Sequence, residues 1–269
     1  MFDFLTYPFM IRALIIGVTM AISTGLISNY LVSSNQSMIG DGLSHISFTG
    51  VVIGFLFSNQ PLFLAVPISI LSAILIKYLM RSNRLNGDTA IGLVSTFALA
   101  IGFIIISKSP GFNRSVEAML VGSIFSTSTL DLFVSLGVMI LTSIFITLGY
   151  KRLFSITYDA TYAQFSKINV AFYDYMLAII TAIVVVVGVQ TIGTLLITAF
   201  IVFPSVSSNL ISKSFKQMLI GSIIINILVS VFGIISAHFL DFPAGATIII
   251  LQGLTFMTLY LYKRIRRIE

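Results

Sequence analysis

Long apolar runs alternate with short polar segments along the chain, and this pattern predicts an all-α polytopic membrane protein. A helix that crosses a membrane needs about 20 mainly apolar residues. Nine runs approach or reach that length: Phe9–Leu31, Met38–Phe57, Leu62–Leu79, Thr89–Ser107, Leu130–Gly149, Ala171–Val189, Ile192–Ile211, Met218–Phe239 and Ala244–Tyr262. The seventh run is short and is interrupted by Pro204. The pattern therefore predicts a bundle of eight to nine transmembrane helices.

The composition supports a membrane protein. Of the 269 residues, 57% are hydrophobic and only 9% are charged, whereas a soluble domain carries about 25% charged residues. No polar segment is long enough to separate two domains, so we expect residues 1–269 to form a single transmembrane domain. The first apolar run has no cationic segment before it and no small-residue cleavage site after it, which argues against a cleaved signal peptide.

The positive charges indicate how the chain is oriented. Most of the 15 Lys and Arg residues fall in four clusters, around residues 77–84, 151–167, 213–216 and 263–267. With nine spans all four clusters lie on one side, and cytoplasmic segments are the ones enriched in Lys and Arg. We therefore expect a cytoplasmic C-terminus and an external N-terminus. This distribution indicates contact with lipid and not with nucleic acid.

Polar and helix-breaking residues mark the connections and contacts between the spans. Asp159 precedes the short run Ala160–Phe165 and is a suitable helix N-cap, so we expect a short helix along the cytoplasmic surface, with an irregular loop as the alternative. An external loop, 108–129, could lie in the membrane interface or re-enter it. Pro204 removes a backbone hydrogen bond that a neighbour must replace. Asn226 and Gln252 are expected to form hydrogen bonds between helices.

One stretch, Met38–Gly50, combines an apolar background with ionisable side chains. Asp41 and His45 are four residues apart and share one face of a helix; Ser44 and Thr49 follow at spacings of three from Asp41 and four from His45. Ionisable groups at membrane depth are costly and usually functional. A carboxylate and an imidazole suit zinc or manganese but leave an incomplete ligand shell. The alternative is an Asp–His hydrogen bond that only locks the helix.

The other candidate residues do not indicate an enzyme. The chain contains no H-E-x-x-H, G-x-S-x-G or phosphate-binding P-loop motif. We therefore expect no catalytic residue, no permanently bound cofactor and no ATP hydrolysis by this chain. It has no cysteine, which excludes disulfides and thiolate ligands. His238 and Asp241, at the outer end of the eighth run, could receive a metal ion or simply be solvated.

Four ordered stretches resemble one family. Met38–His45 resembles the G-D-(A/T)-(L/I)-S-H signature of the zinc/manganese/iron ABC transporter permeases, the ABC-3 type. Tyr158-Asp159 with Ala163 resembles the (F/Y)-D-P-E-x-A motif of that family. Ile192–Pro204 resembles its V-G-x-L-L-V-x-A-L-L-x-x-P helix. Leu240–Thr247 resembles its L-D-x-P-S-G-A-T segment, so the resemblance extends over nearly the whole chain.

The resemblance implies a permease subunit of an ABC importer in a bacterial cell membrane. Such a subunit forms a homodimer or a permease pair, binds a cytoplasmic ATPase subunit that holds the ATP, and receives metal from an extracellular metal-binding protein. It also implies that Asp41 and His45 coordinate the transported ion. Tyr158, Asp159 and Ala163 would belong to the helix that couples to the ATPase. Gly42 replaces the usual Ala or Thr, which we expect to loosen the ligand helix.

The resemblance also bears on the transported metal. Ile46–Gly50 and Tyr7–Leu14 look more like the zinc branch, so zinc is the predicted ion and manganese the next.

The predicted topology places Asp41 and His45 in the inner half of the bilayer, with the polar segment Ser33–Ser37 as the exit to the cytosol. Three alternatives remain: a proton-coupled secondary transporter with Asp41 and His45 as a relay, an ABC permease for a metal chelate such as a siderophore, and a structural scaffold.

Overall fold

The computed structural model describes residues 7–57, 62–82, 85–108 and 124–266. Within these ranges the chain forms ten α-helices, a short 3-10 turn at Ile124–Ser126 and no β-strand. The helices are α1 (Pro8–Ser33), α2 (Ile39–Phe57), α3 (Leu62–Ser82), α4 (Gly87–Lys108), α5 (Thr129–Tyr158), α6 (Ala160–Phe165), α7 (Val170–Ile192), α8 (Thr194–Ile211), α9 (Phe215–Leu240) and α10 (Ala244–Arg266).

The predicted polytopic helical fold is confirmed. All helices except α6 are long and apolar enough to cross a membrane, which gives nine candidate spans in the described residues. The uncertain seventh span is a complete helix, α8, separated from α7 only by Gly193, whose φ of 94° favours glycine. The 30 residues of α5 extend about 45 Å, well beyond the roughly 30 Å hydrocarbon core. Most of the expected external loop, residues 109–123, lies outside the described residues.

The helices differ in how much of their surface the bundle covers. α1, α2 and α7 are the most buried of the nine spans, whereas α4 and α10 are the most exposed. α1 packs against α5, α8 and α9, while α2 packs mainly against α3 and α4. α7 contacts α3 and α5, and α8 contacts α1, α2 and α10. The exposed faces of α4 and α10 are therefore available to lipid or to another chain.

A proline in α8 leaves one backbone carbonyl in the core without its helical hydrogen-bond donor. Pro204 has no N–H, so the carbonyl of Phe200, four residues earlier, lacks its helical donor. Asn226 of α9 supplies a replacement: its side-chain Nδ2 lies 3.0 Å from the Phe200 carbonyl oxygen and donates to it. This contact agrees with the expectation that a neighbouring helix would satisfy the carbonyl freed by the proline.

The same amide connects four helices. Asn226 Nδ2 also lies 3.2 Å from the carbonyl oxygen of Ala21 and 3.1 Å from Oγ1 of Thr24, both in α1. Its Oδ1 accepts a hydrogen bond of 2.7 Å from Nε2 of Gln252 in α10. The side chains of Asn226 and Gln252 are fully buried. The predicted hydrogen bonds between helices are thus present, and they tie α1, α8, α9 and α10 together.

We expect Asn226→Leu to destabilise the bundle by about 2 kcal/mol, because each hydrogen bond between membrane helices contributes roughly 0.6 kcal/mol. Its cost should be smaller in a Pro204→Ala background, since an alanine at that position would restore the backbone donor for Phe200. Thermal or denaturant unfolding in detergent measures both variants and the double variant. Ser236→Ala, which removes a bond to its own helix, is the control. Strictly additive effects would contradict the proposed link between Asn226 and Pro204.

Candidate metal-binding site

Two glycines bring the start of α2 close to its neighbours. A Cβ atom on Gly42 would lie 2.2 Å from Cγ2 of Ile91 in α4, and one on Gly40 would lie 3.0 Å from Cδ1 of Ile201 in α8. Real Cβ atoms do not approach other atoms to 2.2 Å. The expectation that Gly42 loosens the ligand helix is therefore wrong, because its missing side chain permits tight packing of α2 against α4.

Asp41 and His45 occupy a gap in an otherwise buried segment. Every other residue from Ile39 to Val52 is buried, whereas the side chain of Asp41 is 45% exposed and that of His45 is 33% exposed. Both side chains lie on one face of α2, as the spacing predicts. This face is the part of the segment that a solute, water or another chain can reach.

The separation of the two side chains suits two ligands of one ion. Nε2 of His45 lies 3.6 Å from Oδ2 of Asp41, which is within ion-pair distance but longer than a usual hydrogen bond. Metal–ligand bonds of about 2.1 Å would place these atoms 3.6 Å apart at a ligand–metal–ligand angle of roughly 120°. Nδ1 of His45 is buried and has no hydrogen-bond partner among the described residues. Within the described residues, the orientation of the imidazole is therefore not fixed by a hydrogen bond at Nδ1.

Ser44 and Thr49 do not share that opening. Ser44 is fully buried, and its hydroxyl donates to the Gly40 carbonyl oxygen at 2.6 Å. Thr49 is 3% exposed and donates to the carbonyl oxygen of Ala98 in α4 at 2.7 Å. The Thr49 hydroxyl ties α2 to α4, whereas the Ser44 hydroxyl bonds within α2, and neither extends the Asp41–His45 face.

His238 and Asp241 lie at a different part of the bundle. The ring of His238 is 6.2 Å from the ring of Phe9, in the first turn of α1. Asp241 is exposed and ends α9 with a left-handed backbone, φ 55°. Asp41, in contrast, follows the last turn of α1, a helix of about 39 Å. The structure therefore does not bring His238 and Asp241 to Asp41 and His45.

The described residues contain no group of three or more His, Cys, Asp or Glu side chains placed to hold a metal ion. Asp41 and His45 could therefore supply only two ligands of a metal ion. Water molecules, hydroxyl or carbonyl oxygens, or a second protein chain would have to supply the others. Weak, incomplete coordination suits an ion that has to be released again.

One buried charge was not expected from the sequence. Lys77 of α3 belongs to a basic cluster that the sequence places at the membrane surface, yet it is only 4% exposed. Asp174 of α7 acts on it electrostatically. Lys77 is therefore enclosed by the bundle, on a helix that packs against α7, and does not lie in solvent.

The predicted short surface helix is present as α6. Asp159 caps it, since its Oδ1 accepts a hydrogen bond from the backbone N–H of Tyr162 at 2.9 Å. Ala163 is fully buried, which lets α6 lie close to the ends of α5 and α7. Tyr158, Tyr162 and Phe165 are 71%, 63% and 84% exposed. α6 therefore offers an aromatic surface beside the bundle.

An aromatic cluster behind α6 was also missed in the sequence. Phe215, at the start of α9, has its ring 5.0 Å from Tyr30, 5.3 Å from Phe154 and 6.4 Å from Tyr158. A cavity of about 340 Å³ adjoins the cluster, with Lys213 among its polar lining residues. The rings come from three helices, α1, α5 and α9, so no local sequence pattern could have grouped them.

The fold and the site together define a polytopic membrane transport protein. In the part of the chain that the structure describes there are nine hydrophobic helices, and one of them, α2, contains a buried segment that exposes one carboxylate and one imidazole. The sequence profile of the ABC 3 transport family matches residues 6–263. The chain belongs to this family, and its place there is that of a membrane-spanning permease subunit.

Individual relatives agree with this assignment. The chain is 29% identical to the manganese import system permease protein ScaB of Streptococcus gordonii, over 93% of this chain and 90% of that protein. It is 27% identical to the chelated iron transport system membrane protein YfeD of Yersinia pestis, over 98% and 88% of the two chains. The solved structure of PsaBC from Streptococcus pneumoniae in complex with Fab has a TM-score of 0.84 at 27% identity, covering 96% and 93%.

We expect Gly42→Ala to destabilise the protein by about 1–3 kcal/mol, since the added methyl overlaps Ile91 and overpacking costs about this much. Gly92→Ala is the matched control, because a Cβ atom there meets nothing within 4 Å. Ile91→Ala should relieve the clash in the double variant. Unfolding in detergent measures all four proteins. Equal stability of Gly42→Ala and Gly92→Ala would contradict the tight contact between α2 and α4.

Proposed function

We propose that this chain carries a divalent transition-metal ion across the bacterial membrane and binds it with Asp41 and His45. The observation that carries the proposal is the exposure of these two side chains. All other residues from Ile39 to Val52 are buried, and 3.6 Å separates Nε2 of His45 from Oδ2 of Asp41. The chain is a transport subunit of an ABC importer for metal. A separate ATPase and a substrate-binding protein work with such a subunit, so the chain does not itself hydrolyse ATP.

Manganese is the ion that the relatives favour. The Streptococcus gordonii protein is named a manganese permease, and a carboxylate with water or carbonyl oxygens is a suitable ligand set for Mn²⁺. The zinc preference drawn from the sequence stays a prediction. A metal chelate is the second candidate substrate, because the Yersinia pestis relative is named for chelated iron. Family membership favours ATP-driven import over a proton-coupled transporter and over a structural scaffold.

The half-exposed carboxylate also supports a homodimer or a pair of permeases. A charged side chain in a span is unfavourable when it faces lipid. Asp41 is 45% exposed, so we infer that a second permease covers this face and encloses a water-filled path. The partner also brings a second set of polar groups near the ion, which addresses the incomplete ligand shell.

α6 is the element we assign to ATPase coupling. Tyr162 and Phe165 of α6, with Tyr158 at the adjoining end of α5, form a largely exposed aromatic surface. With the orientation expected from the basic clusters, α6 and the C-terminus are cytoplasmic and the N-terminus is external. An extracellular metal-binding protein then delivers the ion at the opposite end of the bundle.

We expect Asp41→Asn and His45→Gln each to lower metal uptake by more than about 100-fold, since even the loss of a group that only supports a ligand costs about 10–100-fold in affinity. Uptake of Mn²⁺ by the complex in vesicles is the measurement, with Zn²⁺ and chelated iron as competitors. Both variants should still assemble with the ATPase. Asp88→Asn, which changes an exposed carboxylate at the start of α4, is the control.

The outcomes of this experiment separate the possibilities. Unchanged uptake in both variants would exclude Asp41 and His45 as ligands. Stronger competition by Zn²⁺ than by unlabelled Mn²⁺ would favour the zinc prediction, while inhibition only by the chelate would favour the second candidate. Because N/O sites generally bind Zn²⁺ more tightly than Mn²⁺, uptake of each metal must be measured as well as competition.

We expect Asp159→Ala to weaken coupling, because loss of an N-cap costs about 1 kcal/mol and α6 has only six residues. Asp159→Asn should retain coupling, since Asn is an equally good cap. Metal-stimulated ATP hydrolysis by the reconstituted complex measures the effect, which should be about fivefold for Ala. If Asn reduces the activity as much as Ala does, the charge of Asp159 and not its capping bond is required.

A further inference from the structure

An apolar groove runs between two spans on the outside of the bundle. Its volume is about 520 Å³, and its walls are side chains of α5 and α7, among them Leu141, Ile144, Leu148, Met176, Ile179 and Ile183. Leu148 is 80% exposed and Ile144 is 52% exposed. The groove is therefore open along the side of the bundle, where a membrane protein meets lipid chains.

One end of the groove is charged. Arg152 lies at the end nearest α6, where its Nη1 donates to the hydroxyl of Tyr173 and its guanidinium carbon lies 5.6 Å from the centre of the Tyr173 ring. These contacts hold the guanidinium at the mouth of the groove. Among the described residues that line the groove, Arg152 is the only charged one.

The length of the groove matches one leaflet of a bilayer. From Leu141 to Arg152 the helix rises about 16 Å, and one half of the hydrocarbon core is about 15 Å thick. An acyl chain that fills the apolar part would place its phosphate beside Arg152. Arg has several N–H donors in a fixed plane, and this geometry suits phosphate oxygens.

We propose that the α5–α7 groove binds an acidic phospholipid, with an acyl chain between the two helices and the phosphate on Arg152. The positive charge of Arg152 favours a headgroup with a net negative charge over a zwitterionic one, by about fivefold for one cation near the surface. The site requires only the membrane-spanning fold. The orientation of the chain in the membrane determines only which leaflet supplies the lipid. With α6 on the cytoplasmic side, it is the cytoplasmic leaflet.

The chain suits a fluorescence test, because it contains no tryptophan. Leu148→Trp places a single reporter in the groove, and Leu71→Trp places one on α3, where Leu71 is 66% exposed and lies outside the groove. The full chain is reconstituted in phosphatidylcholine vesicles. Quenching by dibrominated phosphatidylglycerol is compared with quenching by dibrominated phosphatidylcholine, without metal or ATP, so the result is independent of transport.

We expect phosphatidylglycerol to quench Leu148→Trp at an about fivefold lower mole fraction than phosphatidylcholine does, and to show no such preference at Leu71→Trp. Adding Arg152→Gln should remove the preference. Adding Lys151→Gln, which removes the same charge from a neighbouring residue that does not line the groove, should preserve it. An Ile144→Trp reporter repeats the measurement if Trp at residue 148 disturbs the fold.

Two kinds of result would overturn the proposal. The first comes from the quenching experiment: either equal quenching by the two lipids at residues 148 and 144, or a preference that survives Arg152→Gln. The second concerns a different occupant of the groove, a second copy of the chain. Because the chain has no cysteine, Leu148→Cys is a clean site for crosslinking. Efficient crosslinking between two copies in the membrane would show that protein and not lipid fills the groove.

Discussion

The hydrogen bond from Asn226 to the carbonyl of Phe200 is the interaction on which the arrangement of the bundle depends. A membrane offers no water to a free carbonyl, so the proline in α8 is tolerated only because a neighbouring helix supplies a donor. The same amide reaches α1 and accepts from Gln252 in α10. It therefore fixes α8 relative to three other spans. α8 in turn packs against Gly40, one residue before Asp41, so this core contact positions the candidate site.

The Asn226 amide and the Asp41–His45 pair differ in burial and in hydrogen bonding, and this difference indicates that the Asp41–His45 pair is the one available to a ligand. The amide of Asn226 has partners on its nitrogen and its oxygen and no exposure, as expected of a group that stabilises the fold. Asp41 and His45 are half-exposed, their atoms are 3.6 Å apart, and Nδ1 of His45 has no partner within the described residues. Retaining such groups in a span is costly unless they bind something. The structural alternative, an Asp–His pair that locks α2, predicts instead that loss of either side chain lowers stability and leaves metal binding unchanged.

A continuous path of packed side chains joins α6 to the segment that precedes α2. Tyr158 ends α5 beside α6, its ring contacts Phe215, and Phe215 contacts Tyr30 in the last turns of α1. The backbone then turns at residues 34–38 and enters α2 shortly before Asp41. Rigid aromatic contacts of this kind can transmit a displacement of α6 to α2. Spatial continuity is the physical requirement for such coupling, and variants of Phe215 would test whether it is used.

The helices could be predicted from the sequence because their signals are local. The length of an apolar run determines a span, and the Asp159 cap of α6 acts within four residues. Sequence periodicity also placed Asp41 and His45 on one face. It could not identify partners from distant parts of the chain. Gly42 was interpreted from its own flexibility, whereas its effect depends on Ile91, 49 positions later. Lys77 looked like a surface charge because it lies near the end of a span, yet it is only 4% exposed, and Asp174 of α7, 97 positions later, acts on it electrostatically. A single sequence records which residues are polar, but the free energy of each polar group depends on which helix packs beside it.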